Sequence, residues 1–291
     1  MRSELMKELS NEHLTGERAL YQGNELRIVG TVFEDGESPL KHSRYIDLSD
    51  CTFKWHYPVW YSDNIRMKHC TVSEDGKAGF WYSSNIDMKN SIICARKSFR
   101  HSSNISMRDV TFTNGDETLW RCANVRLSKV KLHGDYFAKD CDGMEITDMD
   151  LKGQYAFDGV RNVTVRNSVI NGRDAFWNSE NVAIYDSRIT GMYFCWNSRN
   201  ITLVNCSIES LQGMCYVDNL MLKNCTFANT SMAFEYSRIN ADISGHIDSI
   251  KNPLSGCIRA GSIGELILEE DKVDVSKTKI LCCDQVAVAV H

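Results

Sequence analysis

Residues 171–203 read NGRDAFWNSENVAIYDSRITGMYFCWNSRNITL, and one sequence motif occurs twice in this stretch. AFWNSENVAI at 175–184 returns in altered form as FCWNSRNITL at 194–203, an interval of 19 residues. A repeat of about 20 residues is typical of a solenoid, in which each repeat forms one turn and buries its apolar side against the next turn. This interval is therefore the basis for aligning the rest of the chain.

The asparagine that precedes an apolar-x-apolar triplet marks each repeat. The marker recurs every 19 to 21 residues at Asn64, Asn85, Asn104, Asn124, Asn162, Asn181, Asn200, Asn219 and Asn240, with Gly143 in the missing place and with Asn24 and Tyr45 before it. Positions one, three and eight residues after the marker form apolar columns, for example Ile105, Met107 and Phe112. Alternation predicts strands, and the fixed interval predicts that each strand lies over its counterpart in the next turn.

These columns predict an all-β fold, a single-stranded right-handed parallel β-helix with about 10–11 coils of 19–21 residues. The repeats cover residues 24–245. Residues 1–23 are predicted to form an N-terminal cap, in which the amphipathic segment Leu5–Leu9 is a helix that covers open strand edges. Residues 246–291 are predicted to form a C-terminal coil and capping segment, with Glu265–Val290 covering the other end.

The position five residues after the marker is mostly Asn or Asp, as at Asp50 and Asn167. Both residue types tolerate the left-handed backbone conformation, so the chain is predicted to turn there. The next position is often Cys or Ser, which suits the inside of a corner. Since no export signal is visible, the twelve cysteines are predicted to be free thiols, most of them buried.

The position five residues before the marker is apolar and predicts a third core strand. Strand alternation then points the following position out of the coil. That position holds Trp60, Trp81, Arg100, Trp120, Lys139, Asp158, Trp177 and Trp196. Its charged members favour an exposed ladder, because unpaired charges are not packed into a narrow apolar core. An alternative is that loops cover the indoles, which then only stabilise neighbouring strands.

Indole faces beside acids and bases suit sugar rings, so the ladder predicts a site for an oligosaccharide. The predicted substrate-binding residues are Trp60, Trp81, Trp120, Trp177, Trp196, Glu117, Tyr136 and Tyr155. The candidate catalytic residues are Arg100, His101, Arg121, Lys139, Asp140, Asp158 and Asp174.

Three functions are compatible with this set. Asp158 paired with Asp140 or with Asp174 would suit a glycoside hydrolase, which needs two carboxylates. The cations would suit a polysaccharide lyase, in which they neutralise the carboxylate of a uronic acid. The ladder would equally suit a noncatalytic scaffold that uses its row of tryptophans as a protein interface.

Composition excludes several other classes. The net charge of -5 gives no electrostatic footprint for nucleic acid, and no apolar run is long enough for a membrane span or a secretory signal. A cytoplasmic protein is therefore expected. No nucleotide, phosphate or zinc motif is present, so no cofactor and no metal are expected. The oligomeric state stays open.

Several longer sequence motifs resemble those of a known family. They are GERALY (16–21), DGESPLKH (35–42), ETLWRC (117–122), WNSRNITLVNCSIES (196–210), AFEYS (233–237) and IKNPLSG (250–256). The chain resembles the uncharacterised bacterial family DUF3737, a group of pectin-lyase-like right-handed β-helices, over about residues 16–256. The resemblance implies the fold and no established activity, so no catalytic residue can be transferred from it. The paired-Asp and Gly-His signatures of polygalacturonases are absent from the sequence.

Overall fold

The computed structural model describes residues 6–282 and 287–290. Two compact units divide the chain. Unit 1 comprises residues 1–145 and 149–151, and unit 2 comprises residues 146–148 and 152–291. Both units are built from short parallel strands that pair with the strand one turn further along the chain.

The strands of unit 1 alternate between a longer strand after each marker and a shorter one. They are β1 (Lys7–Ser10), β2 (His13–Leu14), β3 (Asn24–Val29), β4 (Val32–Phe33), β5 (Arg44–Ser49), β6 (Thr52–Phe53), β7 (Asp63–Lys68), β8 (Thr71–Val72), β9 (Ser84–Ile93), β10 (Ser103–Phe112), β11 (Ala123–Ser128) and β12 (Lys131–His133). Strands β13 (Asp142–Thr147) and β14 (Asp150–Lys152) contain the boundary between the units.

Unit 2 repeats the alternation and then changes to longer strands. Its strands are β15 (Arg161–Arg166), β16 (Val169–Asn171), β17 (Glu180–Tyr185), β18 (Arg188–Thr190), β19 (Arg199–Val204), β20 (Ser207–Glu209), β21 (Asp218–Phe227), β22 (Arg238–Lys251), β23 (Ser255–Leu268), β24 (Thr278–Cys282) and β25 (Ala287–Val290). A single 3-10 helix, Val275–Lys277, precedes β24.

The core of each unit is a set of apolar columns in register. In unit 1, Ile46 pairs with Ile65 and Ile65 with Ile86. In unit 2, Val182 pairs with Ile201. All five residues are at most 1% exposed, which confirms the inward columns predicted from the repeat. Burial of such side chains stabilises the fold by roughly 1.5–3 kcal/mol each.

The corners confirm the predicted left-handed turns. Asp50 and Asn167, five residues after the marker, have φ of 56° and 50°, and the marker Asn104 has φ of 55°. Asn and Asp adopt this conformation at less cost than other residues that carry a Cβ. Each corner can therefore turn sharply without a glycine.

The corner asparagines also bond to one another along the solenoid. In unit 1, the Nδ2 atom of Asn104 donates to the Oδ1 atom of Asn85 at 3.0 Å, and Asn124 donates to Asn104 at 3.2 Å. This ladder begins at Asp63, whose Oδ1 atom accepts from Asn85 at 2.6 Å.

A second ladder follows the same rule in unit 2. Asn224 donates to Asn205 and Asn205 donates to Asp186, each at 2.9 Å. Both ladders therefore run in one direction and begin at an aspartate.

The cysteines of the described residues are free thiols, as predicted, and eight of them are buried. Their Sγ–H groups point to backbone carbonyls, for example from Cys141 to Leu119 at 2.7 Å. Burial raises the pKa of the Cys195 thiol well above its ordinary value and raises the pKa of Cys215 to about 12. At neutral pH Cys195 and Cys215 are therefore protonated and packed as small apolar groups.

The predicted N-terminal helix is wrong for the residues that the structure describes. Lys7–Ser10 forms β1, which pairs in parallel with β3, and Leu9 continues the apolar column of Ile28. The hydrogen bonds of β1 to β3 satisfy the backbone better than an isolated short helix could. No α-helix occurs in residues 6–282, and none of the described helices is long and apolar enough to cross a membrane. Leu5 lies outside the described residues.

The solenoid also has more turns than predicted. Residues 6–282 contain about fifteen strands of the type that follows the marker, against the 10–11 predicted. Residue 245 lies within β22, and β23 pairs with β24 through Ile258 and Ile280. The tail from Glu265 thus adds strands in register, although its sequence has lost the marker asparagine. The cap and domain boundaries predicted at residues 23 and 245 stay predictions.

Replacing Asn104 by alanine should lower the free energy of unfolding by roughly 1–2 kcal/mol, because it removes two amide hydrogen bonds and places Ala in a left-handed conformation. Asn104→Gly should lose less, since glycine adopts that conformation readily. Denaturant titration measures both losses. Ser106→Ala, an exposed change on the same strand, is the control. An equal loss in the alanine and glycine variants would contradict the backbone part of this argument.

The thiols give a second prediction. Of the eleven cysteines that the structure describes, the eight buried ones should stay unmodified when the native protein is treated with a thiol-specific reagent at pH 8. All twelve should react after unfolding in denaturant without reductant, because none is expected in a disulfide. Mass spectrometry after each treatment counts the labels. Rapid native labelling of more than four sites would show that these corners open.

Candidate functional site

Each turn has a third side, formed by the residues seven to three places before the marker. In unit 1 one such side contains Glu117, Leu119 and Arg121, with φ of 51°, 56° and 53°. The prediction of a third core strand is therefore wrong in backbone conformation, because these segments are turns. The predicted directions are nevertheless confirmed, since Leu119 is buried and Trp120 only half-buried.

The tryptophans of the ladder are neither freely exposed nor part of the core. Trp60, Trp81, Trp120, Trp177 and Trp196 are all half-buried. Their indole N–H groups donate to backbone carbonyls of the following turn, as from Trp81 to Lys97 at 2.6 Å and from Trp177 to Tyr193 at 2.7 Å. Each indole therefore holds the next turn in place, which a sequence alignment of single turns cannot show.

The ring faces of this ladder are also occupied. Trp60 stacks on Trp81 with ring centroids 5.6 Å apart and planes 11° apart. The Arg100 guanidinium lies between two indoles, 4.9 Å from the Trp81 centroid and 4.3 Å from that of Trp120. In unit 2, Trp177 stacks on Trp196 at 5.9 Å. Stacking with a sugar ring on the inner faces is therefore blocked.

A neighbouring column of rings is more exposed. This outer aromatic column consists of Tyr21, His42, Tyr61, Tyr82 and His101 in unit 1. Successive centroids lie 4.8 to 5.8 Å apart, and Tyr21, Tyr61 and Tyr82 are 43%, 44% and 43% exposed. Among the described residues, their hydroxyl groups make no hydrogen bond.

Sequence reasoning missed four members of this column and included only His101. The signal was present, because His42, Tyr61, Tyr82 and His101 all stand three residues before the marker. Each of these four residues has a positive φ, from 49° to 58°. This conformation turns the side chain outward beside the preceding residue, which is a tryptophan for Tyr61 and Tyr82.

The candidate catalytic residues of unit 1 are bound to partners. Arg100 donates from Nη2 to the Oε2 atom of Glu117 at 2.6 Å, while Lys97 lies 3.5 Å from the other Glu117 oxygen. Arg121 and Asp140 form an exposed ion pair at 3.7 Å. Lys139 is half-buried, and Tyr136 is 42% exposed.

In unit 2, Asp174 is the most unusual of the candidates. Its side chain is 0% exposed, its Oδ2 atom accepts from Arg173 Nε at 2.5 Å, and its Oδ1 atom has no hydrogen-bond partner among the described residues. That hydrogen bond raises the pKa of the Arg173 guanidinium. Arg173 also donates to the hydroxyl of Tyr155 at 3.2 Å. Asp158 is half-buried and accepts from Asn178 at 2.9 Å.

These positions limit what the candidates can do chemically. A general acid or base must come within hydrogen-bond distance of the substrate or of a water molecule on it, and the Asp174 carboxylate is enclosed. Arg100 is held by two rings and a carboxylate. Within the described residues, no group of three or more His, Cys, Asp or Glu side chains could hold a metal ion.

Known structures with similar folds include a surface adhesin, a glucanase and an epimerase. PfbA, a surface adhesin of Streptococcus pneumoniae, is 8% identical with a TM-score of 0.39 over 90% of this chain and 80% of its own. The catalytic domain of a GH87 α-1,3-glucanase is 11% identical with a TM-score of 0.38 over 96% and 64%. The A-module of a mannuronan C-5 epimerase of Azotobacter vinelandii is 9% identical with a TM-score of 0.29 over 99% and 90%.

No curated protein sequence matches the chain. The sequence model of DUF3737, described as a protein of unknown function, matches residues 7–281, and the chain therefore belongs to the DUF3737 family.

Proposed function

We propose that this protein binds an oligosaccharide without transforming it, through the outer aromatic column of unit 1. The observation that carries the proposal is the row of exposed tyrosines, each 43–44% exposed, whose hydroxyl groups make no hydrogen bond with the described residues. A phenol hydroxyl can both donate and accept, as can a sugar hydroxyl. The two sets of groups are therefore complementary.

The mode of contact follows from the stacking. From His42 to His101 the rings of the column already stack on one another, as Tyr61 does on Tyr82 at 4.8 Å and 8°, and Tyr21 contacts His42 edge to face. A ligand therefore meets ring edges and hydroxyl groups rather than open ring faces. The edges repeat once per turn, about every 4.8 Å. A row of similar polar rings favours a ligand that also repeats, such as a chain of sugar units.

Binding without catalysis is supported by the state of the charged residues. Arg100, Arg121 and Asp174 are each in an ion pair within their own unit. The first two pairs join successive turns, Asp174 pairs with the adjacent Arg173, and each pair reduces the capacity of these groups to act on a substrate. Hydrolysis and elimination would each need a carboxylate or cation that reaches the ligand.

Intrinsic tryptophan fluorescence during titration with oligosaccharides tests this proposal, because Trp60 and Trp81 contact Tyr61 and Tyr82 edge to face. A saturable change is expected for at least one class of sugar. Tyr61→Phe should weaken binding roughly threefold to tenfold, the usual value of one neutral hydrogen bond, while keeping the ring stack. Chromatography of the sugar after long incubation should show no product.

Tyr216→Phe is the matched control. Tyr216 stands at the same repeat position in unit 2 and is 44% exposed, so its variant should bind as the wild type does. Equal weakening in both variants would argue against a site on unit 1, and product formation would exclude a purely binding role. If no sugar binds and solution mass shows a dimer that Tyr61→Ala dissociates, the column is an interface between copies of the chain.

A further inference from the structure

The first turns of the outer aromatic column form a concave polar site. Its lining includes the rings of Tyr21, His42 and Tyr61 together with the side chains of Asn24 and Arg44. Asn24 and Arg44 are direct partners on the neighbouring strands β3 and β5. Side chains from three successive turns therefore converge on one place.

The cation that lines this place, Arg44, lacks a carboxylate partner, and so does Lys41, which precedes His42 in the chain. Within the part of the chain that the structure describes, neither Arg44 nor Lys41 forms an ion pair. The Lys41 Nζ atom lies 5.7 Å from the ring centroids of both Trp60 and Tyr61. Most other cations of the candidate site are paired, as Arg100 is with Glu117. An exposed guanidinium that is left unpaired here is available to a ligand.

The carboxylate nearest to Arg44 in register is already in use. Asp63 is the direct partner of Arg44 on β7, but its Oδ1 atom accepts from both Ser84 and Asn85 at 2.6 Å. Asp63 therefore contributes to the asparagine ladder and not to an ion pair with Arg44.

The rings strengthen the same preference. The edge of an aromatic ring is positive relative to its face, and His42 and Tyr61 present edges to solvent because their faces are stacked. The phenol hydroxyls and the Asn24 amide add hydrogen-bond donors. Together with the Arg44 guanidinium, they form a cluster of donors with one positive charge on a chain whose net charge is -5.

We infer that the ligand of the outer aromatic column is an acidic oligosaccharide, one of whose anionic groups is bound by Arg44. This inference rests on the proposed function and adds the charge of the ligand. A guanidinium binds a carboxylate or a sulfate through two parallel N–H···O bonds, which gives both strength and orientation. The column then carries the sugar units that follow the bound anion.

Three matched ligands separate the possibilities, namely a carboxylated oligosaccharide, its carboxyl-reduced neutral form and a sulfated oligosaccharide. Calorimetric titration of the full chain should give at least tenfold tighter binding for one of the anionic ligands than for the neutral one. Which anionic ligand binds identifies the group as carboxylate or sulfate. Added salt should weaken anionic binding and leave neutral binding unchanged.

Arg44→Ala should weaken binding of the anionic ligand roughly tenfold with no effect on the neutral ligand, which removes most of the difference between the two ligands. Arg126→Ala is the control, because it removes one exposed cation of unit 1 that pairs with Glu145 elsewhere. Equal affinity of wild type for charged and neutral sugars would overturn the inference while leaving the proposed function intact. Failure of all three ligands to bind would overturn both.

Discussion

The parallel hydrogen bonds between successive turns are the constraint on which the whole structure depends. They fix the distance between equivalent residues at about 4.8 Å, so every side chain lies on the side chain one repeat earlier. This spacing suits stacked planar groups, and it explains why Phe33 stacks on Phe53 inside and Tyr61 on Tyr82 outside. It also places asparagine over asparagine at the corners. The fold is thus stabilised by columns of equivalent side chains that stack or form hydrogen bonds from one turn to the next.

The part of the fold predicted from the sequence is the part where the ladders are uniform. Ile65, Asn104 and Asp50 each belong to a column whose members share size or backbone preference, and the alignment identified those columns directly. The ends were not predicted, because Leu9 and Ile280 keep the apolar pattern but lack the marker asparagine. Short apolar segments without a marker are compatible with a helix, a strand or a turn, and the edge of the neighbouring strand decides among them.

The candidate site shows a different limit. Strand alternation gave the direction of Trp81 but not its depth, because the indole bonds to Lys97 of the following turn and packs against Arg100. Those contacts depend on the shape of two turns together. The exposure of Tyr61 and Tyr82 likewise depends on a left-handed backbone at residues that seldom adopt one. The charged ladder residues Arg100, Lys139 and Asp158 were placed outside the core and are half-buried. Asp174, by contrast, is 0% exposed, and an alignment of single turns does not show that its carboxylate is enclosed and paired with Arg173.

The direction of the asparagine ladders gives the solenoid a chemical polarity. Each amide donates to the turn before it and accepts from the turn after it, so the amide dipoles add along the column. Asp63 and Asp186 fit at the beginning because a carboxylate accepts and does not donate. Spontaneous deamidation of Asn85 would place a second acceptor opposite Asp63 and bring two negative charges together. Deamidation is therefore most unfavourable at the asparagine next to the aspartate that begins the ladder.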